Sequence, residues 1–262
     1  MNLDLTGKRA LVCGSSQGIG RAVAHELAAL GAHVVLLARN PDTLRQVRDT
    51  LPRSEGQTHD FLAVDFEQPG KLRDEVQALV ASGAAVHILV NNTGGPPGGP
   101  VFEARPEEFV QAFSNHLICN QILAQAVVPG MKTAQYGRIV NIISTSVKQP
   151  IPGLGVSNTV RGAVANWAKT LAEELAPFGI TVNNVLPGAT KTGRLQALIE
   201  SRARKTGAEV EAVSREMLNQ IPAGRFAEPE EVANAVAFLA SPAAAYITGI
   251  NLPVDGGRTR CL

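Results

Sequence analysis

The sequence predicts an α/β protein: a doubly wound parallel sheet of about seven strands with helices on both faces. Three observations lead there. Apolar runs short enough for strands alternate with longer segments whose apolar residues recur every three or four positions. The first run leads through a glycine-rich turn into a helix, the opening of a βαβ unit. No composition break marks a linker, so the 262 residues fit one large domain, residues 1–262, with a sizeable core.

Residues 10–13 (ALVC) form a run suited to a buried strand, and a helix follows the turn. On that helix Ile19, Val23, Leu27 and Leu30 share a face, and Gly31 stands where a C-terminal stop belongs. Residues 33–38 are the second strand, and Pro41 opens a helix to about residue 50. Residues 61–64 give a third strand closed by Asp65, then a helix spans about 70–81, and residues 86–90 give a fourth strand ending in Asn91-Asn92-Thr93-Gly94. Glycine and proline break regular structure over 94–100. A long helix is expected from about 106 to 131, a strand at 138–143, a helix at about 159–176 and a strand at 180–186 before the turn Pro187-Gly188. Polar, helix-prone sequence fills 193–220; a last helix at 229–239 and a strand at 249–253 close the fold.

Composition narrows the partners. Twenty-four Lys and Arg against 23 Asp and Glu give a net charge of +1, which makes no electrostatic case for nucleic acid or a membrane surface. Cys13, Cys119 and Cys261 have no metal-ligand spacing and cannot all pair, and the histidines are scattered, so no metal is expected and a reduced cytoplasm suits the chain. Nor does the sequence show a signal pattern or an apolar run of the ~18 residues that a membrane span needs. The expectation is a soluble cytoplasmic protein.

Ligands in such sheets bind beyond the carboxyl ends of the strands. Gly14, Arg39, Asp65, Asn91, Ser144 and Pro187 all follow strand ends, so the polar and glycine residues converge on one rim. The turn Gly14-Ser15-Ser16-Gln17-Gly18-Ile19-Gly20 can bring backbone N–H groups close to a phosphate at a helix N-terminus. Its spacing is Gly-x-x-x-Gly-x-Gly. Arg39, just past the second strand, can pair a ribose 2′-phosphate, where an acidic residue would instead accept hydrogen bonds from free ribose hydroxyls.

Together these motifs resemble the short-chain dehydrogenase/reductase family, a Rossmann-type fold, over nearly the whole chain down to Val254-Asp255-Gly256-Gly257. The resemblance is nearest to the 3-oxoacyl-acyl carrier protein reductases. It assigns the cofactor site to Gly14, Ser16, Gln17, Gly18, Ile19 and Gly20 at the diphosphate, with Asp65, Asn92 and Gly94 on the adenosine side. Pro187, Gly188, Thr190 and Thr192 fall at the nicotinamide end. Ala38 fills the position where NAD-using members carry aspartate and Arg39 follows it, which favours NADP(H) over NAD(H), although Gln17 stands where NADP-using relatives often have a basic residue.

The family performs hydride transfer with Asn, Ser, Tyr and Lys. Asn115, 24 residues after Asn91 (115 − 91), matches the asparagine, and Ser144 matches the serine. Thirteen residues on (157 − 144), Ser157 replaces the tyrosine, and Arg161 replaces the lysine. Arginine keeps the charge and can anchor the nicotinamide ribose, but the phenolic proton donor is gone. Three readings follow: an NADP(H)-dependent oxidoreductase of carbonyl or hydroxyl compounds whose proton comes from a held water, the substrate or another side chain (Lys148, His116 or Tyr136); a nucleotide-binding sensor or scaffold without turnover; or lyase-type chemistry on the same fold. Residues 192–220 are the expected substrate lid, with Arg194 among the charges on its solvated face and Leu195, Leu198, Ile199 and Met217 as pocket liners. A small-molecule substrate of largely apolar character fits, and the resemblance implies a homodimer or homotetramer.

Overall fold

Burial on two sides turns the apolar runs into strands, since each must face a helix layer above and below. The computed structural model describes residues 1–261 except 55 and 84. Its strands are β1 (Arg9–Cys13), β2 (His33–Ala38), β3 (His59–Ala63), β4 (Ile88–Asn91), β5 (Gly137–Ile142), β6 (Ile180–Pro187) and β7 (Asn251–Val254). They form one sheet in the order β3-β2-β1-β4-β5-β6-β7, with every pair parallel. The helices are α1 (Gly18–Ala29), α2 (Pro41–Thr50), α3 (Pro69–Ala81), α4 (Pro106–Phe113), α5 (Cys119–Ala134), α6 (Gly155–Leu175), α7 (Gly193–Thr206), α8 (Val210–Asn219) and α9 (Pro229–Ala240). The expected doubly wound α/β architecture is the observed one.

Strand period two divides the core into two layers. Ala10, Val12, Val34 and Leu36 face α1, α2 and α9, whereas Leu11, Cys13, Val35 and Leu37 face α3, α5 and α6. Leu11, Leu27, Leu36, Leu89 and Leu123 are wholly buried, and each such side chain contributes about 1.5–3 kcal/mol. One polar line crosses these layers. Asn91 donates to Asn141 (2.8 Å), Asn141 to Asn184 (2.9 Å) and Asn184 to Asn251 (2.8 Å), in register over β4 to β7.

Several expected boundaries move. The helix expected over 106–131 is broken: α4 ends at Phe113, a π-helical turn spans Ser114–Ile118, and α5 continues to Ala134. The helix expected from about 159 begins at Gly155, so Ser157 lies on it as well as Arg161. Asn158 secures that early start by donating to the Ile151 carbonyl at 2.9 Å. β3 starts at His59 rather than 61, β4 runs to Asn91, and β7 occupies Asn251–Val254 rather than 249–253. The polar stretch 193–220 is two helices, α7 and α8, with an apolar cluster of their own.

Candidate functional site

β1 pairs with β2 on one side and β4 on the other, so the chain winds away in both directions from this point and opens a crevice above the strand ends. A cleft of about 1140 Å³ occupies it. Of the residues assigned to the site from sequence, Gly14, Ser16, Gln17, Gly18, Ile19, Arg39, Asp65, Asn92, Gly94, Asn115, Ser144, Ser157, Arg161, Pro187, Gly188, Thr190 and Thr192 line it.

Gly20, expected at the diphosphate, is not among the residues that line the cleft. It is buried, and a Cβ there would lie 2.2 Å from the Gly14 carbonyl oxygen. Its role is to let α1 approach β1. Gly14 takes φ +59°, and a Cβ on it would meet the Asn92 carbonyl at 2.6 Å. The turn is therefore a cradle shaped by missing side chains, opening at the N-terminus of α1. Ser15, buried and absent from the sequence assignment, clamps it: its Oγ accepts from Leu37 N at 3.0 Å, and its own N–H donates to Leu37 O at 3.4 Å. Asn92 Nδ2 donates to the Cys13 and Gly14 carbonyls at 3.3 Å each, joining β4 to the turn. A diphosphate fits this cradle.

At the β2 end Ala38 is buried and Arg39 is exposed, with no carboxylate within 4 Å of Arg39 among the described residues. Its guanidinium is available to a phosphate.

The opposite end holds the hydroxyls. Ser144 follows β5 and its Oγ accepts from Ser146 N at 3.1 Å. Ser157 and Arg161 sit one turn apart on α6, on one face. Arg161 is 8% exposed; Nη1 donates to Ile142 O at 3.0 Å and Nη2 to Thr93 O at 3.4 Å. Burial pushes its pKa down to about 10, with Arg194 adding to the effect, so it stays charged at neutral pH. Asn115 lies on the π-helical turn, where the extra residue re-aims the helix, and its Oδ1 accepts from Gln111 Nε2 at 2.9 Å.

The candidate proton sources separate clearly. His116 lines the cleft, is buried and bonds to the Thr93 hydroxyl; desolvation and then Arg161 pull its pKa down to about 2, so it is neutral. Tyr136 precedes β5 at the opposite end of the sheet, where its hydroxyl donates to Ala240 O at 2.7 Å. Tyr246, the other tyrosine in the sequence, is fully exposed. Neither lines the cleft, and Lys148 does not line it either.

Around the rim, Leu195 and Leu198 line the cleft as expected, but Ile199 and Met217 do not: they pack into the cluster between α7 and α8. Arg194, read from sequence as part of a solvated face, instead reaches over the cleft, where Nη2 donates to Pro96 O at 2.6 Å. The sequence signal for it was weak, because charge on a polar helix gives no direction. Among the described residues no three His, Cys, Asp or Glu side chains assemble a metal site, and no helix is long and apolar enough to cross a membrane.

Comparison with known proteins agrees with this geometry. A family model described as enoyl-(acyl carrier protein) reductase matches residues 14–259. The chain is 35% identical over 255 residues to the 3-oxoacyl-(acyl-carrier-protein) reductase FabG of Vibrio cholerae, covering 97% of this chain and 98% of that protein. Among solved structures, the L-sorbose reductase of Gluconobacter frateurii, complexed with NADPH and L-sorbose, matches with TM-score 0.92 and 32% identity over the full length of both chains. A 3-oxoacyl (acyl-carrier-protein) reductase of Agrobacterium tumefaciens with NADP bound matches with TM-score 0.86 and 28% identity, over 97% of this chain and 95% of that one. By its glycine turn, sheet order and near full-length match to these proteins, the chain belongs to the short-chain dehydrogenase/reductase family.

Proposed function

We propose that this protein is an NADP(H)-dependent reductase of carbonyl compounds, similar to the 3-oxoacyl-acyl carrier protein reductases, working with an altered proton-delivery site. The observation that carries the proposal is one continuous cleft. It joins a phosphate cradle and an unpaired Arg39 at one end to Ser144, Ser157 and Arg161 at the other. The NADPH and NADP named with similar solved structures support the cofactor.

A bound nicotinamide supplies hydride for the carbonyl carbon, and the protein must then bring one proton to the oxygen. In this reading the N–H groups at the start of α1, with Ser16, Gln17 and Ile19, hold the diphosphate. Arg39 pairs with the 2′-phosphate, which a planar guanidinium matches with two donors. Asp65, Asn92 and Gly94 meet the adenosine side, and Pro187 to Thr192 meet the nicotinamide end. Arg161 orients the adjoining ribose and puts a fixed positive charge beside the developing alkoxide.

Ser144 and Ser157 hydrogen-bond the substrate oxygen. The proton comes from bulk solvent through a water held between these hydroxyls, which is reprotonated as it gives its proton to the alkoxide, since neither tyrosine reaches the cleft and His116 is neutral. Asn115 braces this end from the π-helical turn. Helices α7 and α8 act as the substrate lid. The apolar side chains Val110, Phe113 and Ile118, exposed along α4 and the turn after it, support a homodimer or homotetramer.

Titrating the purified protein with NADPH and with NADH tests the cofactor, and turnover over ketones and 3-oxoacyl thioesters then tests the chemistry. NADPH is expected to bind at least tenfold more tightly, and Arg39→Ala to remove most of that preference. Tight binding with no turnover across the panel would leave the protein a nucleotide sensor. Equal affinity for both nucleotides would remove Arg39 from the cofactor site.

A further inference from the structure

Two of the guanidiniums that line the cleft, those of Arg161 and Arg194, have no ion pair among the described residues. Arg161, nine-tenths buried, spends two donors on the Ile142 and Thr93 carbonyls. Arg194, in the first turn of α7, is exposed and its guanidinium lies beside Gly95, with Nη2 donating to the Pro96 carbonyl. Asp65, Glu67, Glu107 and Glu108 also line the cleft, but among the described residues none lies within 4 Å of either guanidinium, and Glu108 pairs with Arg105 at 3.7 Å.

Two like charges in a partly desolvated cleft repel, and Arg194 adds to the burial that lowers the pKa of Arg161. An anion between them would relieve both, because a carboxylate offers two acceptors to the guanidinium fork.

Resting on the reductase reading above, we propose that the substrate is an anionic carbonyl compound, an oxo acid, whose carboxylate is held by Arg194 in the field of Arg161. The carboxylate must be part of the small molecule itself. The phosphate of a carrier-bound thioester lies at the far end of a long flexible arm, whereas Arg194 lines the same pocket as Ser144 and Ser157. The bond from Arg194 to the loop carbonyl also places this charge on the seam between α7 and residues 94–97, where a bound carboxylate would hold the two walls together.

The experiment compares 2-oxobutanoate, acetoacetate and levulinate with their methyl esters, in the presence of saturating NADPH. The carboxylate is expected to raise kcat/KM for at least one acid by about tenfold over its ester, mainly through KM, since it is held equally before and during the reaction. Arg194→Gln should erase that preference while NADPH affinity is unchanged, and Arg194→Lys should restore part of it. Melting temperatures of both variants close to the parent's establish that they fold. If none of the compounds turns over, calorimetry on the NADPH-loaded protein makes the same acid-against-ester comparison. Esters bound or reduced as well as acids, or a preference that survives Arg194→Gln, would overturn the oxo-acid assignment with the reductase reading intact. Failure of NADPH itself to bind would overturn the reductase reading first, and this assignment with it.

Discussion

By the family resemblance Ser157 and Arg161 stand where a tyrosine and a lysine are expected, and we propose that this pair has changed on a frame otherwise kept. Their four-residue spacing keeps them on one face of α6, and the cleft receives both. A serine hydroxyl is far less acidic than a phenol of pKa ~10, and an arginine does not give up its proton. Restoring the pair, Ser157→Tyr with Arg161→Lys, is expected to raise kcat/KM for a simple ketone about a hundredfold, the low end of what positioned acid catalysis contributes. Steady-state NADPH oxidation measures it, and no gain would mean the pocket has left that geometry. Both residues were legible in the sequence, because spacing along a helix survives folding as a shared face. Arg194 was not. Its neighbours are polar whichever way it points, and only the loop at Pro96 draws it inward.

At the scale of elements, strands were easier to place than their partners across the sheet. An apolar run four to six residues long has one good environment between two helix layers, so β1, β2 and β5 emerged within a residue or two of expectation. The π-helical turn at Ser114–Ile118 had no such signature, since inserting one residue leaves the local periodicity nearly intact. The asparagine line from Asn91 to Asn251 was equally hidden, because its members are far apart in sequence and meet only through strand register. Asn141 stands in its middle. Asn141→Ala should leave the Asn91 amide and the Asn184 carbonyl oxygen buried without partners, costing about 2–6 kcal/mol at roughly 1–3 per orphaned group. The denaturant midpoint should fall accordingly with NADPH affinity affected far less. A midpoint within experimental error of the parent would show that water replaces the missing amide.

For the whole molecule the decisive feature is where the winding reverses. With β2 and β4 flanking β1, the segments that follow β1 to β6 open on the same crevice. A ligand that fills this crevice touches both halves of the sheet and binds only the folded state. NADPH at a hundredfold excess over its Kd should therefore stabilise the fold by about 2.7 kcal/mol, raising the melting midpoint by several degrees. NADH at the same concentration should raise it less, and differential scanning calorimetry compares the two. Order along the chain was enough to establish the α/β class and to place the glycine turn, the strand-end rim and the face that Ser157 and Arg161 share, since each depends on periodicity or spacing within one or two elements. Tertiary structure alone decided that Gly20 lets α1 pack close to β1, that Ile199 and Met217 turn away from the cleft and that the exposed Arg194 borders it. Those outcomes depend on which surface a distant segment presents, and that is determined only when the layers close on one another.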